Sequence, residues 1–291
     1  MRSDGWHFTE DVDDFLDRAG GFLRSRPALH TTPLTTVERL RRDQADGRAG
    51  TTTFGVLESG GEVQAALYRR RTGRLTLTSL SLERVDALVD LLVDFGHTPS
   101  AVGADHDTAT AFAGAWRRRT GAEPTPGWRV RLHRLGTLTP PRPHPAGRAR
   151  VLGPRDHEDL VRWCGEFLDA VGEATAASWA ESRFADKRFT FWETPDGVPV
   201  SLAGSTSVVG GMVRVDPVYT PARLRGRGYA AAVTAEVSRA ALASGATDVV
   251  LFTDPGNPTS NALYRRLGYV PIAEFTGYDL TGPAHDGATG G

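Results

Sequence analysis

Residues 218–231, VYTPARLRGRGYAA, constrain this chain more than any other stretch. An apolar strand ends there, a turn with two glycines follows, and a helix begins. The helix carries Val233, Val237, Ala240 and Ala241 and stops at Gly245. A second apolar run, Val249-Val250-Leu251-Phe252, comes directly after it. Strand, helix, strand in this order demands an α/β arrangement with a sheet covered by helices. The amino end of a helix leaves unpaired N–H groups and about half a positive charge, which suits a phosphate. Gly226 and Gly228 remove the Cβ atoms that would hold a ligand away from the backbone. Arg223, Arg225 and Arg227 add positive charge beside the same turn.

Three readings of the turn compete. A nucleoside-triphosphate loop is excluded, because no Lys-Ser/Thr pair follows the last glycine. A dinucleotide fingerprint fits better: Gly226, Gly228 and Ala231 satisfy G-x-G-x-x-G/A, and Asp248 stands where a ribose-binding acid is expected. Too little chain follows, however, to complete a dinucleotide-binding half. A tight turn with no ligand is the third reading.

The chain has 291 residues, enough for two units. The first half reads as a helix capped by Thr9, with an apolar stripe through Val12, Phe15 and Leu16 and a break at Gly20-Gly21. A second helix starts near Pro33. Strands follow over 52–57, 63–69 and 75–80, then a helix over 82–95, a short strand at 101–103, a helix over 104–119 and a strand over 128–135. Residues 137–147, TLTPPRPHPAG, are too rich in proline for a helix or a sheet ladder and read as a linker. The second half reads as a strand at 149–152, a helix from Pro154, another over 174–184, strands over 188–193, 198–207 and 212–219, then the Gly loop, its helix, a strand over 249–253, a short helix to Leu267 and a closing strand over 269–278. The polar, Gly-rich end, 281–291, is expected to be disordered. The halves repeat one element order, consistent either with duplication or with plain α/β alternation. The resulting division is 1–136, a linker at 137–147, 148–280, and a tail at 281–291.

Composition narrows the partners. Formal net charge is -1, so nothing draws the chain to nucleic acid or an anionic membrane. Lys187 is the sole lysine. Cys164 is the only cysteine, which excludes an internal disulfide framework and favours a reducing compartment. The first six residues, MRSDGW, lack the apolar core of a signal peptide, and no apolar run is long enough to span a bilayer. A cytoplasmic protein is the expectation. The eight histidines show no metal-ligand spacing.

A second segment decides what kind of phosphate is meant. Residues 254–269 read DPGNPTSNALYRRLGY, immediately after the buried strand. Arg223-x-x-Gly226-x-Gly228 resembles the Q/R-x-x-G-x-G/A acyl-CoA motif of the GNAT-type N-acyltransferase superfamily. The spacing N-x-x-S-N-x-x-Y-x-x-x-G-Y resembles that family's fifth-strand and fourth-helix motif. The resemblance covers 148 to about 280. It implies tandem GNAT-like domains of the α/β (α+β) class, each a mixed, mostly antiparallel sheet flanked by helices, the second with a splayed acyl-CoA cleft. It also implies an N-acetyltransferase moving an acetyl group from acetyl-CoA to a small-molecule or peptide primary amine by direct transfer in a ternary complex, in a monomer or homodimer. The backbone of Arg225, Gly226, Arg227, Gly228, Tyr229 and Ala230, with Arg223, would hold the pyrophosphate. Val218, Tyr219 and Thr220 would line the pantetheine arm, with Asn257, Ser260 and Asn261 contacting it or holding the loop. Tyr264 would protonate the departing thiolate: a phenol of pKa about 10 can donate to an alkyl thiolate of pKa about 8.5 with modest tuning.

No base is supplied by the resemblance. Glu166, Glu173, Glu181 and Asp216 are the candidates, and Asp216, beside Pro217 on the strand next to the acyl site, is the best placed. Trp179, Phe184, Trp192 and Thr206 are candidates for the acceptor pocket. Cys164 falls on an apolar helix face with Leu160, Phe167 and Val171, which argues for a core thiol rather than a nucleophile. The Arg runs after Tyr68 and Trp116 read as solvated faces. The first half has Ser79-Leu80-Ser81-Leu82 where a glycine loop would stand, so it is expected to be a degenerate GNAT-like unit without CoA, or else an accessory α/β domain. A CoA-sensing module without turnover is the alternative class, and a dinucleotide-dependent oxidoreductase the outside one.

Overall fold

A computed structural model describes residues 5–45 and 50–281. The expectations for the first four residues and for the tail beyond 281 lie outside the described residues. The described residues divide into two compact units: 5–26, 32–45, 50–131 and 273–281 form the first, and 27–31 with 132–272 form the second.

The first unit opens with β1 (Gly5–Thr9), α1 (Val12–Ser25) and α2 (Thr31–Ala45). Asp11, not Thr9, caps α1: its carboxylate accepts from the amides of Asp13 at 2.7 Å and Asp14 at 3.1 Å. Thr9 is the last residue of β1, and its hydroxyl takes the amide of Asp11. The Gly20-Gly21 pair does not break α1, because Phe15, Ala19, Gly20 and Leu23 share its buried face and packing outweighs propensity. Strands β2 (Thr52–Ser59), β3 (Glu62–Arg70) and β4 (Arg74–Leu77) follow, then α3 (Leu82–Asp94), β5 (Ala101–Asp105), α4 (His106–Thr120) and β6 (Thr125–Leu135). The strand expected over 75–80 ends at Leu77, since Thr78 turns back and its amide bonds the Ala66 carbonyl. The arginines after Trp116 are paired with α3: Arg118 meets Asp86 at 2.7 Å, and Arg119 meets Asp90 at 3.1 Å and Asp94 at 2.7 Å.

The second unit contains β7 (Arg148–Val151), a 3-10 turn (Pro154–Asp156), α5 (His157–Val171), β8 (Arg188–Glu193), β9 (Pro199–Ser205), β10 (Met212–Tyr219), a 3-10 turn (Ala222–Leu224), α6 (Tyr229–Ala243), β11 (Asp248–Thr253) and α7 (Pro258–Arg266). The last strand, β12 (Tyr269–Asp279), and β6 each have residues in both units. No helix forms over 174–184. That segment folds into turns, with Ser182 N donating to Trp179 O and Ala185 N to Ser182 O, while the Ser182 hydroxyl accepts the Phe184 amide. A serine that satisfies a nearby amide competes with helix in this way.

Within the first unit the strand order is β1-β2-β3-β4-β5-β12, and within the second it is β6-β11-β10-β9-β8-β7. Pairing is antiparallel in β1–β2, β2–β3, β3–β4, β5–β12, β7–β8, β8–β9 and β9–β10. It is parallel in β4–β5 and in β10–β11. The second unit buries two cores. One packs Val213, Val215, Val249 and Leu251 under Ala232, Val233 and Val237 of α6. The other packs Phe189, Phe191 and Leu202 under Leu160, Trp163, Cys164 and Leu168 of α5. No helix among the described residues is long and apolar enough to cross a membrane.

Candidate active site

The site starts where two parallel strands part. Strand β10 pairs with β11 only from Met212 to Arg214, against Asp248 to Val250. Beyond that point β10 continues beside β9, with a register shift between Val215 and Val218. The shift falls at Asp216-Pro217, whose peptide is cis. Gly204 on β9 admits it: a Cβ there would stand 2.7 Å from the Asp216 carbonyl oxygen and 2.9 Å from the Pro217 ring. The edge of Val218 and Tyr219 toward β11 therefore carries no ladder among the described residues. On the other side, the end of the strand is pinned. Ser201 Oγ donates to Tyr219 O at 3.1 Å and lies 2.8 Å from the Thr220 hydroxyl, so Thr220 is the donor in that second bond.

The Gly loop fills the gap between β10 and α6. A 3-10 turn closes with Leu224 N on Pro221 O, and Arg225 Nε reaches back to Thr220 O at 3.0 Å. Gly226 and Gly228 then take left-handed φ values of 77° and 82°. Gly228 is the N-cap of α6, and no side chain caps that end. Open space surrounds the Cβ position of Gly226, with nothing within 4 Å. Arg223 and Arg227 are exposed. An uncapped helix end, two left-handed glycines and a bare approach make a cradle fit for a diphosphate.

The next turn places Tyr264. Asn257 caps α7, its Oδ1 accepting the Ser260 amide at 3.0 Å. Asn261 is buried and holds the 254–257 loop: Nδ2 donates to Asp254 O at 2.9 Å and Asn257 O at 2.7 Å, while Oδ1 accepts the Thr253 hydroxyl at 2.8 Å. Because Thr253 donates there, His133 Nε2, 3.0 Å away, carries the proton that Thr253 Oγ1 accepts. Tyr264 is buried in the α6-side core with its ring edge-on to Tyr269, at 5.9 Å between centroids. Burial pushes its phenol up to about 12, against a hydrogen bond with Ser260 that pulls it down.

The α5 side carries the remaining titratable groups. Asp216 is ion-paired with Lys187 and lies 3.3 Å from Arg183 Nη1. Burial disfavours its charge, but Lys187, Arg183 and Arg214 together hold it below the usual carboxylate range. Burial takes Lys187 down to about 8, with Asp216 opposing the shift. Cys164 is buried beside this pair and its thiol is pushed up to about 12, mainly by burial. Tyr219 donates its hydroxyl to Glu166 Oε2 at 2.9 Å and stands edge-on to Trp163. Trp179 and Phe184 belong to the aromatic cluster on this side. Trp192 does not: it is buried in the α6-side core with Nε1 on Ala146 O. Thr206 Oγ1 takes the Arg214 amide, before the two strands part.

Residues 157–269 match the Acetyltransferase (GNAT) family. The chain carries a GNAT domain. The activity of that family is acyl-CoA-dependent transfer to an amine. No curated protein matches the sequence significantly. Among solved structures, a GCN5-related N-acetyltransferase from Kribbella flavida is 21% identical over 75% of this chain and 87% of its own, with a TM-score of 0.54. One from Sphaerobacter thermophilus is 18% identical over 97% of this chain and 98% of its own, at 0.54. A tandem GNAT protein from the clavulanic acid biosynthesis pathway is 13% identical over 94% of this chain and 97% of its own, at 0.51. The last two share the fold with this chain over nearly its whole length. Asn261 was named from the sequence, but Lys187 and Arg183 as partners of Asp216, and His133 and Thr253 behind Asn261, were not; the isolation of the only lysine was the one available signal.

Proposed function

We propose that the GNAT domain transfers an acetyl group from acetyl-CoA to a primary amine, directly, in a ternary complex. The observation that carries this reading is the parting of β10 from β11 beside an uncapped, left-handed glycine turn. The backbone from Arg225 to Ala230 binds the pyrophosphate, with Arg223 and Arg227 adding charge. The open edge at Val218, Tyr219 and Thr220 receives the pantetheine, and a backbone N–H near Tyr219 polarises the thioester carbonyl. Asn257, Ser260 and Asn261 hold the loop that flanks it.

A neutral amine then attacks the carbonyl carbon. The C–N bond forms, the C–S bond breaks, and the Tyr264 hydroxyl protonates the sulfur. A phenol raised to about 12 still suits this step. Burial raises thiols as well, as it does Cys164, so donor and acceptor rise together. The phenolate recovers the second proton from the new amide nitrogen. Asp216 is a poor base, because its charge is already held by Lys187 and Arg183.

Tyr264→Phe tests the reading. Thiol release from acetyl-CoA with an amine acceptor should fall on the order of 10²–10⁴-fold, with acetyl-CoA affinity unchanged. Binding of acetyl-CoA by the unaltered chain, with no thiol released across a broad amine panel, makes it a CoA-sensing module instead. A thermal shift with NAD(H) and none with acetyl-CoA returns the dinucleotide reading.

A further inference from the structure

We propose that Glu166 is a catalytic residue that receives the acceptor's ammonium group, takes its proton, and selects amines with no carboxylate beside the nitrogen. This rests on the acetyl-transfer reading above. Helix α5 presents Trp163 and Glu166 to the same strand residue, Tyr219. The tyrosine ring stands edge-on to Trp163 at 6.0 Å, and its hydroxyl donates to Glu166 Oε2. That residue sits on the open edge of β10, so the carboxylate is tied by one side chain to the strand that would carry the thioester.

Charge bookkeeping around the site favours Glu166. Asp216 is neutralised by Lys187 and Arg183. Glu173 faces Arg183 at 3.4 Å. The only ion-pair partner of Glu166 among the described residues is Arg162, at 3.9 Å, with side chains 61% and 42% exposed for Arg162 and Glu166. Such a pair contributes little and leaves the carboxylate free to take a better partner. Tyr219 satisfies one oxygen and leaves the other for a ligand.

Specificity follows from the neighbours. Phe167, Trp179 and Tyr219 are half-buried rings at the rim of the α5-side cluster. They suit an apolar, ring-sized body attached to the amine. Arg183, which could have held a carboxylate, is engaged by Glu173 and Asp216 and lies over the Phe184 ring at 4.9 Å. An amine bearing its own carboxylate would thus set a second negative charge against Glu166, and Arg162, the cation beside it, already faces Glu166 itself at 3.9 Å. In the reaction, R–NH3+ gives one proton to Glu166, the neutral nitrogen bonds the acetyl carbon, and CoA leaves as thiol. Glu166 then returns its proton to water.

The experiment compares phenethylamine with phenylalanine, which differ by one carboxylate, using the full chain and thiol release from acetyl-CoA. The unaltered protein should favour phenethylamine by at least about tenfold in kcat/KM. Glu166→Gln should lower kcat/KM for phenethylamine on the order of 10²-fold and shrink that preference, with acetyl-CoA affinity and melting temperature unchanged. Thiol release that is untouched by Glu166→Gln, or a preference for phenylalanine, overturns the proposal and leaves acetyl transfer standing. Acetyl-CoA binding with no release for any amine removes both.

Discussion

Replacing Asp216 by Asn separates two roles for that carboxylate. The Lys187 side chain is 5% exposed and Asp216 20%, so the pair is desolvated. Removing one partner of a buried pair costs about 3–5 kcal/mol, because the other charge is left uncompensated. Lys187 has an escape. Burial already takes it down to about 8, and without Asp216 it falls further and sheds its proton near neutral pH. That relief leaves an expected loss of roughly 2–4 kcal/mol at pH 7. The pH dependence has a definite sign. A lysine whose folded pKa lies below its unfolded value makes stability rise with pH between the two. In the variant that window opens at lower pH, while in the unaltered protein it opens near 8. The deficit should therefore narrow by up to ~1.4 kcal/mol per unit below pH 8 and stay constant above it. Urea melts from pH 6 to 9 read this directly. Asp216→Asn/Lys187→Met should recover most of the loss, since an apolar pair needs no compensation. A variant that keeps full stability while thiol release falls a hundredfold would instead make Asp216 the base, and the counterion reading would be wrong.

Two further outcomes are expected. Gly228→Ala forces a left-handed φ of 82° on an alanine; the new Cβ meets the Pro145 ring at an ordinary 3.8 Å, so the cost is conformational, about 1–2 kcal/mol, with weaker acetyl-CoA binding by titration. Calorimetry should find one acetyl-CoA site per chain, and a second site of similar affinity would sink the view that the first unit has lost its cradle.

Much of this structure was readable from periodicity. The strands over 188–193 and 212–219 coincide with β8 and β10, because aromatic and β-branched residues alternate with polar ones there between turn signals. The Gly loop was readable because its two left-handed positions need glycine. What escaped was tertiary. The stretch 174–184 has helical composition, yet Trp179 and Phe184 dock on the α5-side aromatic cluster and Ser182 bonds its own turn. Trp192 and Phe191 are adjacent, and only the pleat sends them into opposite cores. The Lys187–Asp216 pair joins residues 29 apart and has no local signature. The same is true of Tyr219 and Glu166, which are 53 apart.

The two units show how little of a fold's chemistry lies in its topology. Segment β4–α3–β5 repeats the parallel arrangement of β10–α6–β11. In the second unit, residues 220–228 join strand to helix, long enough for a 3-10 turn and two left-handed glycines before α6 begins. In the first, residues 78–81 make the same join with no glycine. Two of their polar groups are bonded within the protein. The Thr78 hydroxyl takes the Ala66 amide at 2.9 Å, and the Leu80 amide is held by the Thr108 hydroxyl at 3.0 Å. The end of α3 carries no side-chain cap either, but the loop before it offers no glycine and the amide of Leu80 is already bonded within the protein. The longer loop in the second unit adds two left-handed glycines, with open space at Gly226, in front of a helix end that is uncapped in both units. On the acetyl-transfer reading proposed above, loop length and glycine handedness, rather than strand order, give the cosubstrate to one unit.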